Sequence, residues 1–286
     1  MGICKYVWIY LHMNTERVIA KKRFGQNFLK DESVVLKIVE AMPHNTNRIV
    51  EIGPGLGDLT KHIVNIKGVS AFEVDTDLCR HLERSFKDEI TTGRLVLECG
   101  DVLESWESEL LNEKYDLVAN LPYYIATKII LKALTDTHCR NMLVMVQREV
   151  AEKFSASPGE KNFGALSVIT QSVATAEIVL QIPPEAFEPP PKVDSAVLLI
   201  QKTADRKSDV FEIFLRAAFA QPRKTLYKNL SARYVKEDVE KALGALDLPL
   251  SIRPHQVRTS DYHQVYNILE KGSLYGRRDS GGDSAK

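Results

Sequence analysis

Short apolar runs alternate with segments of helical periodicity through the first two-thirds of the chain. Runs near 48–53, 69–74, 94–98 and 115–119 read as buried strands, and residues near 57–66, 76–88 and 124–134 read as helices between them. An earlier helix is predicted from Asp31 to Met42, where Val34, Val35, Ile38, Val39 and Met42 share a face and Pro43 ends the pattern. A fifth strand, Asn141 to Val146, leads into a helix from Arg148 to Phe154. This alternation predicts an α/β fold, a parallel sheet with helices on both faces and with ligands at the carboxyl ends of its strands. Ser155 to Lys161 reads as a loop and Gly164 to Val173 as a helix on the sheet. Two last strands, Ala176 to Gln181 and Ala196 to Gln201, flank a proline-rich loop from Pro183 to Pro191. Beyond Lys202 the pattern is helical: Phe211, Phe214, Leu215, Ala218 and Phe219 fall on one helical face as core, and 237–247 and 260–270 add helices. The expected division is a poorly ordered extension over 1–20, a large domain over 21–203, a small all-helical domain over 204–271 and a disordered tail over 272–286.

Length and composition fit that division. A chain of 286 residues can bury one large core and a smaller one, and 44% hydrophobic with 27% charged residues is ordinary for a globular protein. The formal net charge is zero, so any contact with a polyanion has to come from local patches. Between Lys202 and Arg233 stand eight basic residues (Lys202, Arg206, Lys207, Arg216, Arg223, Lys224, Lys228, Arg233) against three acids, and Arg17 to Lys30 is a second basic run containing Lys21, Lys22 and Arg23. Both runs read as phosphate contacts. Cys4, Cys79, Cys99 and Cys139 lack metal-ligand spacing and the seven histidines form no cluster, which predicts reduced thiols, no metal and a cytoplasmic address. The apolar stretch Tyr6 to Leu11 is too short to span a membrane.

The candidate chemistry lies at the strand ends. The strand Ile49–Ile52 runs into Gly53-Pro54-Gly55-Leu56-Gly57, a turn whose glycines let a ligand approach the backbone ahead of a helix N-terminus. Asp58 stands where a dinucleotide fingerprint has its last glycine, which argues against a pyrophosphate-bearing cofactor. Glu73, at the tip of the next strand, is placed to accept from a ribose diol, and Asp101, after Leu95–Gly100, to face an adenine amino group. The fourth strand ends in Asn120-Leu121-Pro122-Tyr123, which sets an amide, a rigid turn and an aromatic face side by side, as a grip on the amino edge of a flat base requires.

With these motifs in view the chain resembles the small-subunit ribosomal RNA adenine N6-dimethyltransferases. Arg23-Phe24-Gly25-Gln26-Asn27-Phe28-Leu29 is similar to the family's N-terminal cofactor motif, and Phe187-Glu188-Pro189-Pro190-Pro191-Lys192-Val193-Asp194-Ser195 to its late proline-rich motif. Phe219 to Leu226 and Arg253-Pro254-His255-Gln256 resemble motifs of its C-terminal domain. The resemblance implies a Rossmann-like class I methyltransferase sheet and S-adenosylmethionine as cofactor. It implies Asn27, Leu29, Gly53, Glu73, Asp101 and Asn120 as cofactor contacts, of which Asn27 and Leu29 rest on the resemblance alone. It also implies a product dimethylated at N6 on two adjacent adenosines in a hairpin loop near the 3′ end of small-subunit rRNA, made on the assembling small ribosomal subunit. Lys128 stands where a proline often follows the catalytic loop, and Pro222 replaces a basic residue beside Arg223-Lys224, which weakens the case for phosphate contact there.

The chemistry expected of these residues is positional. Asn120 and the carbonyl of Leu121 would accept the two N–H bonds of the adenine amine while Tyr123 and Phe187 sandwich the ring; Phe187 is expected on a stiff, exposed loop with no structural need for an aromatic. No general base is required. Three rivals remain: a large-subunit rRNA adenine methyltransferase of the antibiotic-resistance type, a non-catalytic ribosome-assembly factor, and a NAD-dependent oxidoreductase, the last disfavoured by Asp58 and by the lack of a hydride-transfer His or Tyr-Lys pair. No apolar repeat suggests assembly, so a monomer is expected.

Overall fold

The computed structural model describes residues 27–205 and 209–276. The extension, the basic residues from Arg17 to Arg23, Arg206, Lys207 and the tail from Arg277 on lie outside these.

The chain runs β1 (Phe28–Leu29), α1 (Glu32–Glu40), β2 (Arg48–Ile52), α2 (Thr60–Ile63), β3 (Val69–Glu73), α3 (Thr76–Ser85), α4 (Lys87–Thr91), β4 (Leu95–Cys99), α5 (Val102–Ser105), β5 (Tyr115–Asn120), α6 (Ala126–Thr135), β6 (Cys139–Gln147) and α7 (Arg148–Ser155). It continues through α8 (Ala165–Gln171), β7 (Ala174–Ile182), β8 (Phe187–Glu188), β9 (Ser195–Lys202), α9 (Asp209–Ala218), α10 (Leu226–Leu230), α11 (Lys236–Gly244) and α12 (Thr259–Gly276). Seven strands form one sheet in the order β4-β3-β2-β5-β6-β9-β7. The five from β4 to β6 are parallel, and β9 and β7 close the edge antiparallel.

Both faces of the sheet are covered, which is why its strands read as continuous apolar runs. Successive residues go to opposite sides: Val50, Ile52, Leu117, Ala119, Val144 and Val146 join one core, and Ile49, Val118, Leu143 and Met145 the other. Against the second core lie α1, α2 and α3 through Val35, Ile38, Ile63 and Leu82. Helices α5 to α8 pack on the first, and that core runs on without a break into Phe214, Leu215, Leu230, Val239 and Tyr262 of the C-terminal helices. The stripe on α9 is core, with Phe211 stacked on His263 at 4.2 Å and Phe219 tilted against Phe163 at 6.4 Å.

Several expectations are corrected. The helix expected over 57–66 shrinks to Thr60–Ile63, because Gly57 sits at φ +84° and a Cβ built on it would lie 2.5 Å from the Phe86 ring. The helix expected over 76–88 breaks at Phe86, whose φ of −116° and ψ of 32° separate α3 from α4. The cysteines are not all free thiols: Cys79 of α3 and Cys99 at the end of β4, 6.2 Å apart at Cα, are joined as a disulfide. Cys139 is free and buried, and burial pushes its thiol up to about 12. Lys202, counted as part of a basic surface, has a buried side chain whose Nζ donates to the Asp136 carbonyl at 2.6 Å.

Candidate cofactor and adenine site

Strand order reverses between β2 and β5, so a crevice opens where their carboxyl ends part, the place where open α/β sheets bind ligands. The turns after β2, β3, β4 and β5 line one cavity there, and the β1 segment closes its side through Asn27, Phe28 and Leu29. Gly53 and Gly55 take φ of +72° and +63°, so the chain doubles back beneath this opening. A Cβ built on Gly55 would lie 3.2 Å from the Phe28 ring, and one on Gly53 3.6 Å from Pro122. Side chains there would narrow the cradle.

Glu73 is buried at the end of β3. Its carboxyl accepts from the backbone N–H groups of Asp75 at 2.9 Å and Gly55 at 3.2 Å, which ties the second strand's tip to the glycine turn. Burial raises its pKa above the usual carboxyl range despite these two bonds. Asp101 caps α5 by accepting from Leu103 N–H at 2.9 Å and remains exposed at the rim. Asn120 ends β5 and lines the cavity; its Nδ2 donates to the Asn27 carbonyl at 3.2 Å. Leu121 is buried, and its N–H donates to Met145 of β6 at 3.1 Å. Tyr123 is half-buried with its hydroxyl 2.7 Å from Ser195 Oγ, and burial raises the phenol's pKa.

All the residues expected to contact a cofactor, together with Leu121 and Tyr123, therefore line one cavity. Phe187 does not. It is buried in β8, paired antiparallel with Leu29 of β1, and packs with the core beneath α1 and α2. The exposed-loop expectation fails because two-residue strands far apart in sequence pair and draw the ring inward.

Glu51 was missed. It lies on β2 within the glycine motif, lines the cavity and is 2% exposed. The signal was there: one acidic residue inside an apolar strand just ahead of the glycine turn. Burial is the main cause that pushes its pKa to about 8; nearby Glu73 raises it further and a 2.7 Å hydrogen bond from Thr60 Oγ1 opposes the shift. The folded protein thus holds a proton on Glu51 that the unfolded chain releases near 4.5. Its contribution to stability is complete below that value and is lost as pH rises through about 8. Urea unfolding from pH 5 to pH 9 is expected to show a steeper loss of stability in the native chain than in Glu51→Gln, which cannot ionise.

Four acids, Glu51, Asp58, Glu73 and Asp101, line the cavity, and no lysine or arginine among the described residues does; the nearby Lys30 is paired with Asp58 at 2.9 Å. A diphosphate would find no cationic side chain among the described residues of the lining. A nucleoside carrying positive charge would meet hydrogen-bond acceptors, which is the character of S-adenosylmethionine. Among the described residues no three His, Cys, Asp or Glu converge to hold a metal, and no helix is long and apolar enough to cross a membrane.

The chain is similar to known proteins along nearly all of its length. It is 62% identical over 264 residues to the ribosomal RNA small subunit methyltransferase A of Sulfurimonas denitrificans, covering 92% of this chain and 98% of the relative. The protein of the same name from Aliarcobacter butzleri is 48% identical, over 90% of this chain and 98% of its own. Among solved structures, a dimethyladenosine transferase from Plasmodium falciparum superposes with a TM-score of 0.72 at 21% identity, over 86% of this chain and 98% of that one. A 23S rRNA methyltransferase superposes with 0.68 at 23% identity, over 85% and 100%. These two establish the fold, a class I methyltransferase sheet with a helical C-terminal part. The family model for ribosomal RNA adenine dimethylase matches residues 18–271, and with relatives of this identity spanned from end to end the chain belongs to the ribosomal RNA adenine dimethylase family.

Proposed function

We propose that this protein uses S-adenosylmethionine to dimethylate N6 of two adjacent adenosines in a hairpin loop near the 3′ end of small-subunit rRNA. The observation that carries the reading is the meeting of an acid-lined cavity, without a lysine or arginine among the described residues of its lining, with the Asn120-Leu121-Pro122-Tyr123 turn where the strand order reverses. Residues 21–203 are read as the catalytic domain and 204–271 as an RNA-binding domain.

Asn27, Leu29, Gly53, Glu73, Asp101 and Asn120 hold the cofactor in this reading. When bound, S-adenosylmethionine supplies a methyl group made electrophilic by a sulfonium. The adenine amine is a weak nucleophile because its lone pair is delocalised into the ring. Asn120 Oδ1 and the Leu121 carbonyl accept its two N–H bonds and turn the lone pair out of conjugation, while Tyr123 stacks on the ring. Neither acceptor can act as a base, so the residues contribute alignment and electrostatics, effects worth several kcal/mol. Phe187, buried in β8, takes part in the sandwich only if β8 parts from β1 when RNA binds.

Among the residues described, Arg216, Arg223, Lys224, Lys228 and Arg233 stay exposed on and around α9 and α10 and form the phosphate-contacting surface of the proposal. The reading extends to a cytoplasmic monomer that acts on the assembling small subunit.

The test is transfer of labelled methyl groups to small ribosomal subunits from a strain that lacks this modification, followed by nucleoside mass spectrometry. Dimethyladenosine in the small-subunit RNA is the expected product. Transfer to large-subunit RNA instead would move the assignment to the resistance-type enzyme, and no transfer to either would leave an assembly factor.

A further inference from the structure

We infer that Ser195 is a positioning residue for methyl transfer, because its hydroxyl holds the far end of the Tyr123 ring in place. The inference rests on Tyr123 being the stacking face. Ser195 is the first residue of β9, is fully buried, and pairs with Gln147 of β6 on one side and Ile182 of β7 on the other. Its hydroxyl lies 2.7 Å from the Tyr123 hydroxyl, and either oxygen can be the donor.

A tyrosine ring in a cavity wall turns about two bonds, and stacking by itself does not choose the position that leaves the adenine amine beside Asn120. The phenol oxygen lies on the axis about which the ring spins, so its hydrogen bond fixes where that axis points, and the preference of a phenolic O–H for the ring plane restrains the spin. The anchor is rigid because the residue before Ser195 is held twice by Arg148: the Arg148 backbone N–H donates to the Asp194 carbonyl at 3.0 Å, and Nη1 donates to Asp194 Oδ2 at 3.0 Å. The proline-rich segment and the Asn120–Tyr123 turn, 72 positions apart at this bond, thus meet at one hydroxyl pair. Ser195 touches no reacting atom; its effect passes through the ring.

The experiment is a double-mutant cycle with Ser195→Ala, Tyr123→Phe and the pair, read as single-turnover methyl transfer at saturating cofactor and subunits, with Tyr123→Ala alongside. Tyr123→Phe keeps the ring and removes only the hydroxyl, so the test stands even if Ser195→Ala folds poorly. The expected result is a loss of about fivefold in the rate for each single variant, no further loss in the pair, and unchanged apparent affinity for subunits. Native rates in Tyr123→Phe, or losses that multiply in the pair, would overturn the positioning role. Native rates in Tyr123→Ala would instead remove the stacking role on which the inference depends.

Discussion

Asn120→Ala is expected to slow methyl transfer by about two to three orders of magnitude, the effect seen when one preorganised polar partner of a developing charge is removed. Two losses combine. The Oδ1 acceptor for an adenine N–H disappears, so the lone pair stays conjugated and the amine stays unaligned. The Nδ2 donor to the Asn27 carbonyl disappears as well, which removes one tie to the segment that closes one side of the cavity. Asn120→Asp separates the two contributions: it keeps an acceptor, loses the donor to Asn27, and adds an acid to a cavity that already has four. Its rate is expected between those of the native chain and the alanine variant. Single-turnover transfer at saturating cofactor and subunits measures both, with thermal unfolding as a control for the fold. A rate within tenfold of native in Asn120→Ala would remove the clamp from the mechanism.

What could be read in the sequence follows from what local pattern encodes. Strands buried on both faces announce themselves as apolar runs, and the residue after each run marks the edge where ligands bind. That is why Gly53, Glu73, Asp101 and Asn120 could be placed at one edge of the sheet without a structure. Phe187 could not be placed by the same logic, because its burial depends on pairing between Phe28–Leu29 and Phe187–Glu188, strands too short to leave a periodic signal. Lys202 and Ser195 share that difficulty. Nothing local tells a lysine that it will reach a buried carbonyl, or a serine that its hydroxyl will meet a tyrosine on another strand. Glu51 was legible but unread, since an ionisable group inside a buried strand is itself a signal.

The largest effect on stability is expected at the opposite edge of the sheet, from Asp136→Ala. Asp136 is fully buried at the end of α6. Its Oδ2 accepts from Trp106 Nε1 at 3.0 Å, Tyr115 Oη at 2.7 Å and the Leu110 N–H at 2.8 Å, and its Oδ1 from the His138 N–H at 2.8 Å. Removing the carboxyl leaves four donors without this acceptor, two of them on the buried side chains of Trp106 and Tyr115. At about 1 kcal/mol or more for each stranded group the loss is about 4 kcal/mol, or roughly 10 °C in Tm for a protein of this size. Asp136→Asn keeps one acceptor and the volume, so about half of that loss is expected. Differential scanning calorimetry gives the shift, and single-turnover transfer well below the melting range shows whether the site is touched. The expected rate there is native, because Asp136 lies at the amino ends of β5 and β6 whereas the adenine turn lies beyond the carboxyl end of β5. A slow but thermally native Asp136→Ala would mean that the two edges are coupled through β5, and that the adenine turn depends on more than its own hydrogen bonds.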